Sequence, residues 1–268
     1  MQELEGKTAV ITGGASGIGL GMARAFADAG MRLVLADVEV SALERATQEL
    51  AKRAPEVIGV RTDVSEAAST EALAERAFSQ LGAVHVLCNN AGVCLEVPIA
   101  DGSDDDWRWL FSVNVEGVRN IVRAFVPRLR AQADASHLVN TASFNALIPT
   151  GFLGIYTATK FAVLGMSEAL RQELAGDGIA VSTLIPLGVN TRLDESQRNR
   201  PGAQPINPQH MNASVEALRA GQDPDEVGRA VLEGIREERR FIFPSGAMLE
   251  VLRAQLDAYL EAMASAPA

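Results

Sequence analysis

Tyrosine and tryptophan each occur only twice in the 268 residues, histidine three times, and cysteine twice, at Cys88 and Cys94. Two cysteines cannot make a disulfide framework, and their spacing matches no zinc pattern. Both are expected to be unpaired thiols, one in a strand and one in a loop, with no metal held by the chain. Basic residues are also short: 24 Lys and Arg against 34 Asp and Glu leave a formal net charge of -10. Nucleic acids and anionic membranes select basic surfaces, so neither is expected as a partner, and a small molecule is favoured. No apolar run approaches the roughly 18 residues of a membrane helix. Met1 to Gly6 is polar and no signal-like stretch follows it, so the expected location is cytoplasmic.

Apolar residues make up 47% of the chain, enough for a large core in one domain spanning residues 1–268. Short β-branched runs recur at Thr8 to Thr12, Arg32 to Ala36, Val57 to Arg61, Val84 to Cys88, His137 to Thr141 and Ala180 to Ile185. Helical or small and polar stretches separate them. This alternation predicts βαβ crossovers and a parallel sheet covered on both faces, a doubly wound α/β domain; Phe241 to Phe243 would be a seventh strand. Ser103 and the acids Asp104 to Asp106 read as the cap and first turn of one long helix reaching about Arg130. Residues 190–222 are polar, carry Pro201, Pro205 and Pro208, and read as a mobile loop or lid. Within 223–268, Asp223 caps a helix with Pro224 in its first turn that runs to about Arg239, and Met248 to Met263 forms a last helix.

After the first strand comes TGGASGIGLG, with Gly13, Gly17 and Gly19 spaced GxxxGxG. Glycines there let the backbone turn tightly against a pyrophosphate, and the N–H groups opening the next helix face the phosphates. Asp37 ends the second strand near the offset at which a carboxylate bonds the ribose 2′-hydroxyl of NAD. It would repel the 2′-phosphate of NADP, and no Arg or Lys lies between Gly13 and Gly19 to offset that repulsion. NAD is therefore the expected cofactor.

With TGGASGIG at 12–19, Asp63-Val64, NNAG at 89–92, Asn114, Ser143 and Tyr156-x-x-x-Lys160 in this order, the chain resembles the short-chain dehydrogenase/reductase family, a single-domain Rossmann fold. The resemblance implies that Ser16 and Ile18 join the three glycines around NAD and that Asp63 and Val64 meet the adenine. It places Asn90, Ala91 and Gly92 on the cofactor floor, and Pro186, Gly188, Val189 and Thr191 along the nicotinamide. It also implies a catalytic tetrad of Asn114, Ser143, Tyr156 and Lys160, with Tyr156 and Lys160 touching the cofactor, Asn114 holding a water that links Lys160 to solvent, and a homodimer or homotetramer built on the helices bearing Asn114 and Tyr156.

The chemistry asks for these residue types on its own account. A secondary alcohol loses hydride to become a ketone only if its hydroxyl proton also leaves, so a base must reach that oxygen. Tyr156 serves if its pKa falls, and a lysine four residues on lies on the same helix face to favour the phenolate. Ser143 would donate to the substrate oxygen. His85 and His137, at the starts of strands, are expected to be structural, and His210 lies in the polar loop.

Two positions depart from the pattern. Leu187 stands where the family has glycine, which is tolerated only at negative φ, and His85 stands where the family often has Asp. Val93, Cys94, Leu95, Phe144, Asn145, Phe152, Leu153, Leu187 and Met211 are expected to line a mostly apolar substrate pocket next to Ser143. That suits a hydrophobic secondary alcohol or ketone, aromatic, alicyclic or steroid-like. The rival expectation is a catalytically silent dinucleotide sensor of the same fold.

Overall fold

The computed structural model describes residues 1–202 and 218–267. Seven strands, β1 (Thr8–Thr12), β2 (Arg32–Asp37), β3 (Val57–Arg61), β4 (Val86–Asn89), β5 (Ser136–Thr141), β6 (Ile179–Leu184) and β7 (Phe241–Ile242), form one sheet in the order β3-β2-β1-β4-β5-β6-β7. Every pairing is parallel. The doubly wound α/β fold is thus as expected, with strand ends shifted by one or two residues.

Because strand side chains alternate, each strand feeds two cores. Ala9 and Ile11 of β1 join one apolar cluster with Leu33, Leu35, Val86 and Cys88, covered by helices α1 (Gly17–Asp28) and α2 (Val40–Leu50). Val10 points the other way, joining Val34, Leu87 and Leu138. That second core is closed by α3 (Ala67–Leu81) and by two elements described next.

The long helix expected from Ser103 to about Arg130 is broken. Its cap is as predicted: the Ser103 hydroxyl accepts from the Asp106 N–H at 3.2 Å, and Asp106 accepts from the Ser103 N–H at 2.9 Å. But α4 (Asp104–Phe111) gives way to a π-helical turn, Ser112–Glu116, before α5 (Gly117–Ala131) resumes. Such turns insert an extra residue per turn and concentrate at functional sites; this one carries Asn114. The side-chain period of the sequence runs through it, so only packing reveals the break.

The chain continues through α6 (Gly154–Glu173), α7 (Pro224–Arg236) and α8 (Leu249–Ala264). Asp223 caps α7 by accepting from the Asp225 N–H at 2.8 Å. Helices α1 and α7 cross through glycines: a Cβ on Gly21 would lie 2.1 Å from the Pro224 carbonyl oxygen, and one on Gly228 would lie 2.2 Å from that of Gly21. Where the expected lid is described, Leu193–Asn199 forms a 3₁₀ helix with Ser196 buried. Met211 and His210 lie outside the described residues. His85 and His137 are structural as expected: His85 Nδ1 accepts from the Thr8 N–H at 3.0 Å, and His137 Nε2 pairs with the Ser182 hydroxyl at 2.7 Å.

Candidate active site

Strand order reverses between β1 and β4, and a ligand crevice opens beyond the C-terminal ends of strands at such a point. Here the crevice holds about 460 Å³ and is bordered by Gly13, Asp37, Asn90, Ser143, Tyr156 and Lys160 among others. Residues more than a hundred positions apart in the sequence meet there.

At one end stands the glycine turn. Gly13 and Gly17 have φ of 63° and 52°, in the left-handed region. A Cβ on Gly19 would sit 2.0 Å from the Gly13 carbonyl oxygen, so Gly19 supports the turn from beneath. Ser16 precedes α1 without capping it, and no acidic side chain occupies the first turn. The N–H groups that open α1 therefore keep their anion-binding character, and the residues fit a pyrophosphate.

Asp37 closes the same end. Its carboxylate accepts from the Ala15 N–H at 3.1 Å and the Glu39 N–H at 3.0 Å. Burial pushes its pKa up and these two bonds pull it back. Next to it, Glu39 Oε1 accepts from Arg198 Nε at 3.0 Å, Arg198 Nη2 at 2.7 Å and Asn199 Nδ2 at 3.1 Å. Arg192 stands 3.7 Å from the other oxygen of Glu39. Sequence reasoning missed this cluster; the two segments are about 160 residues apart, and only the fold joins them.

The floor is tied to β1 by one hydroxyl. Thr12 Oγ1 accepts from the N–H groups of Asn90 at 2.9 Å and Ala91 at 3.0 Å, and Asn90 Nδ2 donates to the Thr12 carbonyl at 3.0 Å. Thr141 Oγ1 donates to Asn90 Oδ1 at 3.2 Å. Asp63 Oδ1 accepts from the Ser65 N–H at 3.0 Å, and Val64 beside it packs against Gly117.

At the other end, Tyr156 and Lys160 lie one turn apart on α6, both buried, with Lys160 Nζ 5.7 Å from the Tyr156 ring centre. Lys160 donates to the Thr141 carbonyl at 2.9 Å, and burial lowers its pKa to about 8. Ser143 opens a 3₁₀ turn after β5, and its hydroxyl stands near enough to the Tyr156 phenol to favour its ionised form. In the chain alone, burial chiefly pushes the Tyr156 pKa above the ordinary phenol value, and the nearby Ser143 hydroxyl only partly opposes this. The same burial that weakens the phenolate also weakens the ammonium meant to help it.

Asn114 is fixed by its side-chain amide. Its Oδ1 accepts from the Val93 N–H at 2.8 Å, while Nδ2 donates to the Val93 carbonyl at 2.9 Å and to Thr159 Oγ1 at 3.0 Å. Both Nδ2 hydrogens and one Oδ1 lone pair are thus used to fix the loop after β4 and the Thr159 hydroxyl.

The segment after β6 behaves as its sequence allows. Glu238 is the only non-glycine with positive φ among the described residues, so Leu187 keeps negative φ and is 38% exposed at the crevice mouth. Pro186, Val189 and Thr191 border the crevice, while the Gly188 carbonyl accepts from the Gln222 N–H at 3.0 Å.

The expected substrate pocket is only partly as read. Val93 and Leu187 border the crevice. Phe144 instead is half-buried, packed against a core cluster of Val118, Ala146 and Val163. Leu95 is buried with Trp109 and Ile155. Phe152 and Leu153 sit in a turn that buries none of its residues and do not border the crevice. Asn145 braces Ser143, donating from its N–H to the Ser143 hydroxyl at 3.2 Å. Cys94 also stays off the crevice wall: its N–H donates to Ser196 Oγ at 3.0 Å, and burial pushes its thiol up to about 12. Their places are taken by Trp109, Leu193 and Leu218, which sequence reasoning missed. Trp109 alone carried a signal, as one of only two tryptophans and set in the stretch that leads into Asn114.

Known proteins share this fold. A solved short chain dehydrogenase/reductase from Burkholderia phymatum, in complex with NAD, is 41% identical and superposes with a TM-score of 0.91 over 97% of both chains. The 1-deoxy-11-beta-hydroxypentalenate dehydrogenase of Streptomyces exfoliatus is 36% identical over 95% of this chain and 88% of its own length. The C alpha-dehydrogenase of a Sphingobium species is 30% identical over 98% of this chain and 88% of its own. The short chain dehydrogenase family model matches residues 7–202, and the chain belongs to that family.

Proposed function

We propose that this oxidoreductase is NAD-dependent and interconverts a hydrophobic secondary alcohol and its ketone, with Tyr156 as general acid and base. The observation that carries this reading is the meeting of Ser143, Tyr156 and Lys160 in one crevice with the glycine turn and Asp37. When bound, NAD supplies the hydride acceptor and a positive charge beside the phenol. The α1 N–H groups and Gly13 would hold its phosphates, and Asp37 would accept from the ribose hydroxyls. Ser143 donates to the substrate oxygen. Tyr156 takes the hydroxyl proton in oxidation and returns it in reduction, and Lys160, charged below about pH 8, favours the phenolate. Val93, Trp109, Leu187 and Leu193 give the crevice apolar walls, which supports an apolar substrate. Two dehydrogenase relatives and a relative solved with NAD support the same reading.

The test is a screen of NAD reduction over secondary alcohols graded in bulk and polarity, with NADP in parallel. Turnover should be fastest with NAD and apolar alcohols. Binding of NAD without turnover of any alcohol would instead assign a silent sensor, and turnover confined to polyols would overturn the apolar pocket.

A further inference from the structure

Helix α8 spans 16 residues, and none of them is buried. Leu249, Val251, Leu256, Tyr259, Leu260 and Met263 are 44% to 78% exposed, half of the large hydrophobic residues exposed among those described. An isolated helix of this length is marginal in water, and an exposed apolar stripe of this kind marks a surface that something covers.

The order of residues says what kind of surface fits it. Leu249, Leu252, Leu256, Tyr259 and Met263 recur at alternating spacings of three and four, the a and d positions of a heptad over two repeats. The acids Glu250, Asp257 and Glu261 fall at b and f, away from this seam, and Arg253 and Gln255 flank it. Leu260 at e widens this seam and Val251 at c lies off it; an a/d seam fits another helix bearing the same seam. A membrane surface is disfavoured by charge, since the helix carries three acids against a single Arg253 and the chain has a formal net charge of -10. A second copy of this chain brings the matching seam by symmetry, and a two-fold axis closes the contact without leaving a free face.

We infer that α8 is a dimerisation helix, pairing through its Leu249-Leu252-Leu256-Tyr259-Met263 seam with α8 of a second copy of this chain. This places a self-association surface at the C-terminal end, separate from the Asn114- and Tyr156-bearing helices on which the family resemblance builds oligomers.

Light scattering coupled to size exclusion at graded concentrations tests it. The wild type should be a dimer or a multiple of one. Leu256→Glu, and separately a chain ending at residue 248, should halve the mass or raise the dissociation constant at least tenfold. Leu256→Met should leave the mass unchanged, and unaltered circular dichroism should show that Leu256→Glu still folds. An unchanged mass in both the Leu256→Glu and the shortened chain, or a wild type that stays monomeric at high concentration, would overturn the inference. So would a monomer that sediments with phosphatidylserine vesicles through α8, which would assign the stripe to lipid.

Discussion

With 6% of its surface exposed, Tyr156 keeps its proton above the ordinary phenol range because burial penalises the phenolate. On the proposed mechanism, the base form that alcohol oxidation needs therefore grows as pH rises, and the acid form that ketone reduction needs shrinks. For oxidation, kcat/KM should climb towards alkaline pH, by at most tenfold per unit, and reduction should fall; a profile flat from pH 7 to 10 would contradict Tyr156 as the titrating group. Tyr156→Phe should lower kcat by about 10²-fold or more, as loss of a general acid–base does, with NAD affinity within a few-fold by calorimetry. Asp37 acts at the opposite end. The two guanidiniums that border this end of the crevice, Arg192 and Arg198, are paired with Glu39. Asp37→Ala should therefore equalise NAD and NADP rather than reverse the preference. It should also weaken NAD, since the Ala15 N–H loses its acceptor. Fluorescence titration of the two cofactors reads both effects, and a retained preference for NAD would remove Asp37 from cofactor choice.

Between elements, the closest approach is made where a side chain is absent. Helices α1 and α7 meet at Gly21 and Gly228, and a methyl group on Gly228 would lie 2.2 Å from the Gly21 carbonyl oxygen. Since α1 carries the glycine turn, the crossing also sets how the crevice mouth is held. Gly228→Ala should cost about 1–3 kcal/mol by overpacking and weaken NAD by tilting α1. Gly165 on α6 meets nothing within 4 Å, so Gly165→Ala should stabilise by about 0.5–1 kcal/mol through helix propensity. Urea denaturation distinguishes the two, and equal effects would deny the crossing its role. The π turn at Ser112–Glu116 belongs to the same scale: it carries Asn114 to the Val93 backbone and so holds the loop that faces Lys160.

Across the whole molecule, the crevice is walled by β1, β2, β4, β5, α6 and the segment after β6, so a cofactor seated there ties distant parts of the chain together. Binding to the folded state alone stabilises it, by about 2.7 kcal/mol at a hundredfold excess over Kd. Saturating NAD should raise Tm by about 5 °C or more at the size-scaled rate of a few degrees per kcal/mol, and NADP at equal concentration should raise it less. Equal shifts would place the preference outside the ground-state complex. Among the described residues, no helix is long and apolar enough to cross a membrane, and no group of three His, Cys, Asp or Glu could hold a metal ion.

The sheet was legible because strand alternation and β-branched runs are local, and the glycine turn because a strand followed by glycines at that spacing meets a narrow backbone requirement. Ser103, Asp223 and the pair Tyr156-Lys160 were legible for the same reason: caps act within four residues, and an i, i+4 pair shares a helix face. The π turn, the bonding of the Asn114 amide to Val93, the packing of Phe144 against its core cluster and the Glu39 clasp on Arg198 were not. Each depends on which distant group a side chain finds once the sheet has closed, and no residue's neighbours along the chain encode that. The same holds for Tyr156: its identity and its partner lysine are written locally, but the burial that keeps its proton in place comes from the walls of the crevice.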